Sequence, residues 1–554
     1  MQFFAAFLLI LLPWLNPFSP APTASIEPLL MSWACASALL MTSGQRQVPA
    51  SILKGLGSLV LVLLVAALWP AGGPPGADAL ALGMSLLVVL ACAWRFANAT
   101  RADATVVARA LLLAGLASVL IGGLQYFEAT DALAPWVSGA RPGEAFGNLR
   151  QRNLFASLTS IALCALLWLA RSDPWFSRPA RVVGPAVLLA IGNAMSLSRT
   201  GLFELLLILG LAWVWGLFRE RPVRWTLAPV LPAYGVAALG LPAWFSATGN
   251  GGIVTRLTEG APACSSRMTL WSNVLELIGQ KPWFGWGWGQ LDYAHYMTLY
   301  SGPRFCDILD NAHNLPLQLA VELGVPVTLL VCGAGLWAVW RARPWVDADP
   351  LRQMAWGVLA VIVLHSLLEY PLWYGPFQMA LGISLGLLSS RRLAPTARPA
   401  QAVSPAGWKA GTERNAPRLL AMVILAGVAA AAWDYHRMRQ IYLPPDERAA
   451  AYRDDTLTRV REAWLFRDQV RFAELTLTPL TPDNAQWTLA TATTLLHFSP
   501  EPRVIEKVIE SAVMLGRDDA ALLHLQRYRA AFPKDHALWA GTLVPAPVLT
   551  GPGG

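Results

Sequence analysis

Apolar runs close to the ~20 residues that a helix needs to cross a hydrocarbon layer recur along this chain. They begin at Phe3 and continue until about residue 435 of 554. In lipid, backbone amides find no water, so each such run must satisfy its own hydrogen bonds as an α-helix. The candidate spans are 3–18, 28–41, 55–69, 79–94, 108–127, 154–170, 182–197, 201–218, 226–245, 315–340, 354–365, 377–389 and 419–433. The expected fold is therefore an all-α polytopic membrane protein of about 12–13 transmembrane helices. Composition supports this: 14% of residues are charged, against roughly 25% in soluble domains. The 25 tryptophans suit the two membrane interfaces. The run from Phe3 to Trp14 has no basic flank or small-residue cleavage site, which reads as a retained span rather than a signal peptide.

Charge sets the expected topology. The formal charge of +8 is spread over short links rather than gathered on one helix face, which disfavours a nucleic-acid partner. With the N-terminus inside, Arg46 and Lys54 share a cytoplasmic link, followed by Arg95 and Arg101, then Arg171, Arg178 and Arg181. Arg219, Arg221 and Arg224 come next, then Arg341, Arg343 and Arg352, and last Arg391, Arg392, Arg398 and Lys409. Every second link is basic, as the positive-inside rule requires. The alternate links 128–153, 198–200, 246–314 and 365–376 then face the periplasm of a bacterial inner membrane.

The expected divisions are N-terminal spans over 1–127 and a membrane core over 128–393 containing the large periplasmic loop 246–314. A Pro- and Ala-rich cytoplasmic linker over 394–417, a last span over 418–435 and a soluble helical periplasmic domain over 436–554 complete the chain. In that last domain Ala521, Leu525, Tyr528 and Phe532 recur at helical spacing and Pro533 ends the helix, resembling one tetratricopeptide-type unit.

Residues able to do chemistry crowd the predicted periplasmic face. His295, His313 and His365 all map there, which suggests a site rather than packing. His313 stands between Asn311 and Asn314 at the mouth of a long apolar run; an imidazole there suits proton abstraction from a hydroxyl, or simply caps a helix. Arg199, in a two-helix turn, and Arg267, opening an amphipathic segment, offer guanidinium forks for a phosphate. The plainer readings are snorkelling for Arg199 and a surface position for Arg267. Gln151 and Asn153, with Asn148, offer amides for sugar hydroxyls or phosphate, or mark a helix entry. Pro371 and Pro376 interrupt the segment from His365 to Phe377, so Glu369 and Tyr370 are expected to line a polar cavity. Tyr370 and Tyr374 equally suit an aromatic belt.

The segment "KPWFGWGWGQ" alternates Gly with Trp, suiting tight turns and either sugar stacking or the bilayer interface. It lacks the Walker pattern. No carboxylate or His grouping has metal-ligand spacing, so neither a metal nor a cofactor is expected. Of six cysteines, Cys264 and Cys306 fall in the large loop on the oxidising side, where a disulfide is open to them.

In chain order, "GNLRQRN", "SLSRTG", "SSRMTLW", "KPWFGWGWG", "NAHNLPLQLAVELG" and "HSLLEYPLWY" resemble the superfamily of O-antigen ligases, O-antigen polymerases and bacterial protein O-oligosaccharyltransferases. The "EYPL" segment and the helical tail look most like the pilin-glycosylating type. The resemblance implies a metal-independent transferase that moves an oligosaccharide en bloc from an undecaprenyl-diphosphate carrier to Ser or Thr of an exported, pilin-like protein. It implies His313, Tyr370 and Gln151 as catalytic positions and Arg199 and Arg267 as diphosphate ligands. Asn153, Asn311, Asn314, Glu369 and His365 stand beside them as candidates. The family's Gln-Pro-Asn is here Gln151-Arg152-Asn153, a departure bearing on the turn that places Gln151. The rival readings are an O-antigen ligase acting on lipid A-core, a lipid-linked glycan flippase with polar groups near the bilayer midplane, and a membrane scaffold.

Overall fold

The computed structural model describes residues 2–17, 26–42, 50–68, 77–244, 263–390 and 408–543. Phe18, Arg46, Arg391, Arg392, Arg398, the loop stretch 246–262 and the linker stretch 394–407 lie outside the described residues. Among the described residues every regular element is helical.

The first ten helices are α1 (Gln2–Leu15), α2 (Glu27–Met41), α3 (Ala50–Leu68), α4 (Ala77–Phe96), α5 (Arg101–Tyr126), α6 (Arg152–Ser172), α7 (Ala180–Met195), α8 (Arg199–Val214), α9 (Arg221–Leu227) and α10 (Val230–Trp244). The loop region carries α11 (Arg267–Gln280) and α12 (Leu291–Met297). The bundle resumes with α13 (Leu315–Leu323), α14 (Val325–Ala342), α15 (Pro350–Ser366), α16 (Gly375–Ser389) and α17 (Trp408–Arg439). Six stretches among the described residues are long and apolar enough to cross a membrane, and α1, α2, α7 and α16 are shorter apolar helices.

α6 is the hub. Every residue from Leu154 to Ala170 is buried, because α5, α7, α8 and α15 surround it. α14 is its opposite: Thr328 alone is buried, while Leu329, Leu336, Trp337 and Trp340 stand exposed. A helix apolar all round that leaves most of its surface outside the protein is one whose solvent is lipid. At the end expected to be cytoplasmic, basic side chains meet carboxylates. Arg95 pairs with Asp103 at 3.0 Å, Arg171 with Glu220 at 2.8 Å and Arg352 with Asp347 at 2.6 Å.

Two apolar runs that read as single spans are broken. The run 226–245 is interrupted at Ala228 and Pro229, between α9 and α10. The run 315–340 divides at Gly324, whose φ of +88° suits glycine alone. A Cβ there would lie 2.3 Å from the Trp283 carbonyl oxygen, and one on Gly285 would lie 2.4 Å from that of Glu322. The two glycines let the Gly-Trp segment dock against the break. Trp286 N–H donates to Val321 O at 2.8 Å, Gly287 N–H to Glu322 O at 3.0 Å, and Val325 N–H to Pro282 O at 2.8 Å. The carbonyls left without helical partners are thereby satisfied. Apolar periodicity does not record such a break, because both halves stay apolar. A third difference concerns the linker expected to reach Pro417: α17 already begins at Trp408 and runs through Pro417.

Beyond α17 lie α18 (Thr456–Val460), α19 (Arg467–Leu477), α20 (Ala485–Leu495), α21 (Pro502–Met514), α22 (Asp518–Ala531) and α23 (Pro533–Leu543). α22 stops two residues before Pro533, which opens α23, as the sequence leads one to expect. These helices pack on the loop region. Tyr296 joins their apolar core, its hydroxyl 2.9 Å from His524 Nδ1, and Arg527 donates to Met297 O at 2.9 Å. Trp288 Nε1–H reaches Asp78 O at 3.2 Å at the start of α4, and Arg439 reaches Glu27 at 3.1 Å. The loop region and the C-terminal domain therefore cover one and the same end of the bundle.

Candidate active site

His313 sits two residues before α13, in a turn built by amides. Asn311 Oδ1 accepts the His313 N–H at 2.8 Å, and Asn314 caps α13 by accepting from Leu317 N–H at 3.0 Å. Asn314 Nδ2 also donates to Leu367 O at 2.9 Å, tying this turn to the end of α15. The turn holds His313 at φ +49°, a left-handed conformation that costs a non-glycine residue roughly 1–2 kcal/mol. Such strain persists where neighbours over-determine the backbone, commonly at functional sites.

Three side chains meet here. His313 Nδ1 lies 2.6 Å from Glu369 Oε2 and 2.8 Å from Arg267 Nη2, and Arg267 Nη2 donates to Glu369 Oε1. A guanidinium only donates, and Nδ1 cannot donate to Glu369 and accept from Arg267 at once, so the two hydrogen bonds that form together are those to the carboxylate. Glu369 accepts from Arg267 on one oxygen and from the His313 Nδ1–H on the other. That tautomer leaves a lone pair on Nε2. Burial pushes the Glu369 carboxyl up, but the hydrogen bond from His313 and the charge and hydrogen bond of Arg267 outweigh it and hold the group below its ordinary value. Glu369 is 8% exposed, whereas the Arg267 side chain keeps 36% of its surface. The Tyr370 ring meets the imidazole edge-on at 4.9 Å and lies 6.1 Å from Tyr374. Burial, then the neighbouring Tyr374, raises the Tyr370 hydroxyl, so it stays protonated.

The remaining candidates divide. Arg199 opens α8 beside Ser198, whose hydroxyl caps the helix at 3.0 Å and donates to Asn153 Oδ1 at 2.7 Å. It is exposed rather than tucked into its turn, and among the described residues no carboxylate pairs with it. Gln151 does what a helix entry requires: its Oε1 accepts the Leu154 N–H at 2.9 Å. Arg152 takes the first helical position, where proline is favoured because no N–H is needed, and pairs with Glu144 at 3.3 Å. The Gln-Arg-Asn turn therefore forms without the family's proline.

His365 and His295 do not join His313. His365 is fully buried in the bundle, its Nδ1 2.7 Å from Ser157 Oγ, which donates to Glu204 Oε1 at 2.5 Å. His295 is buried in the loop region, 2.7 Å from the Tyr300 hydroxyl. A helical sequence places His365 near the right membrane face but does not say which way it points. Ser157 and Glu204 escaped the sequence reading altogether; an acid inside an apolar run was the available signal. The buried bracket that they form with His365 joins α6, α8 and α15 within two turns of their ends at this face. Arg199 and Asn153 therefore share the bundle end that His313 and Glu369 close. Cys264 and Cys306 are joined, three residues before Arg267, and help to hold the start of α11.

A polar cluster at one end of a membrane bundle, with an imidazole oriented by a carboxylate, a guanidinium beside it and an exposed arginine opening a helix at the same end, can take up a proton and bind an anion. Comparison with known proteins specifies the class. Residues 184–332 match the family described as O-antigen ligase, 145–170 match protein glycosylation ligase, and 353–544 match the C-terminal part of virulence factor membrane-bound polymerase. A general O-oligosaccharyltransferase of Acinetobacter baylyi is 26% identical over 420 residues, covering 70% of each chain. A ComP-specific O-oligosaccharyltransferase of the same organism is 25% identical over 265 residues, 46% of each chain. The chain is thus similar to O-antigen ligases and protein O-oligosaccharyltransferases, and it is a glycosyltransferase.

Proposed function

We propose that the protein transfers an oligosaccharide en bloc from an undecaprenyl-diphosphate carrier to Ser or Thr hydroxyls of an exported protein such as a pilin, at the periplasmic face of the inner membrane. The observation that carries this reading is the shared carboxylate: Glu369 fixes the His313 tautomer and holds Arg267 beside it. The free Nε2 of His313 takes the acceptor hydroxyl proton as that oxygen attacks the anomeric carbon of the first sugar. The bond from that carbon to the diphosphate oxygen breaks, and its electron pair leaves with the diphosphate. Arg199 and Arg267 stabilise the charge that develops there. Asn153, Gln151 and Tyr370 complete the proposed site, Tyr370 as a hydroxyl donor and Gln151 through the turn that it caps.

The test co-expresses the chain with a lipid-linked glycan pathway and a pilin-like acceptor, then weighs the acceptor and the lipopolysaccharide core. A mass shift on protein that disappears in His313→Ala, with donor binding retained, supports the reading. A shift on the lipopolysaccharide core alone would assign the lipid acceptor instead, and full activity in the variant at matched expression would remove His313 from the mechanism.

A further inference from the structure

The catalytic reading leaves the far end of α11 unused. There, between the loop region and the C-terminal domain, lies a cleft of about 550 Å³. Among the described residues its lining includes Lys281, Arg527, His497, Gln280, Gln290 and Trp286 and no carboxylate. Lys281 Nζ stands 4.0 Å from the centre of the Trp286 ring, and burial lowers its pKa. His497 is held by Gln290 Oε1 at 2.6 Å and stacked on Tyr293, its ring centre 3.7 Å away. Burial and the Lys281 charge hold His497 below its ordinary pKa, so the fixed positive charge in the cleft belongs to Lys281 and Arg527.

We propose that this cleft binds an acidic sugar of the transferred glycan, several residues beyond the one joined to the diphosphate. The inference rests on the transferase reading above and adds a subsite to it. The geometry supplies a measure. α11 begins at Arg267, beside His313, and ends at Gln280, next to Lys281. Its 14 residues place the two ends about 20 Å apart, a separation that a short oligosaccharide spans. The chemistry of the lining suits a hydroxylated anion: amide groups on Gln280 and Gln290, a hydroxyl on Thr298, an indole, and two cations without a competing acid. An acceptor peptide is the weaker fit. Among the described residues no strand edge borders the cleft, so the backbone pairing by which an extended peptide gains affinity is missing there.

The experiment has two arms, both on the purified full chain in detergent. In the first, titration calorimetry measures binding of a tetrasaccharide of alternating glucuronate and N-acetylglucosamine, with chitotetraose as the neutral control. Saturable binding of the acidic tetrasaccharide, weakened about tenfold or more in Lys281→Glu and restored in Lys281→Arg, is expected. No binding, equal binding of chitotetraose, or affinity unchanged in Lys281→Glu overturns the proposal. In the second, transfer to the acceptor protein is followed with a lipid-linked acidic tetrasaccharide and with a lipid-linked monosaccharide. Lys281→Glu should lower kcat/KM about tenfold for the first donor and leave the second unchanged. An equal fall for both, or none, overturns the subsite while the transferase reading stands. If the wild-type chain glycosylates no protein, the transferase reading fails, and the calorimetric arm still decides whether the cleft takes an acidic glycan.

Discussion

Two histidine–glutamate clusters lie within a few residues of each other in this protein, and their surroundings differ. His313 and Glu369 meet at the bundle mouth with Arg267 as third partner, the imidazole 18% exposed. His365 and Glu204 face each other across Ser157 inside the bundle, both fully buried. His365 and Glu369 are one helical turn apart, and Glu369 N–H donates to His365 O at 2.8 Å. Residue type therefore does not distinguish the clusters. What does is access and charge: the outer one has a cation, a partly exposed imidazole and a strained backbone, whereas the inner one is a closed polar bracket joining three helices.

The comparison breaks most easily at His313. In His313→Ala the transfer rate should fall by about 10³, the scale of a general base with its positioning, with little change in Tm. Unaltered turnover would erase the functional difference between the clusters. Glu369→Gln should reduce transfer about a hundredfold by removing the acceptor that fixes the tautomer, an effect read from the pH–rate profile as well as from kcat.

The same carboxyl carries a stability signature. Its folded pKa lies below its ordinary value of 4.5. Its contribution is therefore complete above the ordinary value and lost as pH falls through the lower one. Thermal melts from neutral to acid pH should show a smaller acid loss in Glu369→Gln than in the wild type; identical slopes would contradict the pairing.

The inner cluster makes the converse prediction. His365→Ala leaves Ser157 and Glu204 short of a partner, so it should cost about 1–3 kcal/mol in stability while the enzyme that does fold keeps its turnover. A normal Tm with abolished transfer would make the inner bracket part of the chemistry. The smallest effect is expected at Arg199. Without a carboxylate partner, Arg199→Gln should raise the donor KM about tenfold and leave Tm unchanged. A drop in Tm instead would show that the guanidinium serves the fold.

Much of this arrangement was legible beforehand. Apolar runs located the membrane helices, and Asn311, His313, Asn314, Arg267 and Glu369 stood out because polar groups are costly at that depth unless they are used. Gln151 and His365 shared the same signals; Gln151 accepts the Leu154 N–H at the start of α6, and His365 packs against Ser157 inside the bundle. Their direction depends on helix rotation, which a lone polar residue in an apolar run does not encode. The break at Gly324 was hidden for a related reason: its cause is Gly285, thirty-nine residues away in sequence.

The sequence alone determined that this chain is a bundle of lipid-facing helices with its polar equipment toward one end, because hydropathy and charge act locally and add along the chain. Only the tertiary structure decided which histidine meets which acid, that Arg267 shares Glu369 with His313, and that the C-terminal domain closes a cationic cleft over the end of α11. Those pairings join segments about 50 to 250 residues apart, and their geometry arises from packing that no local pattern records.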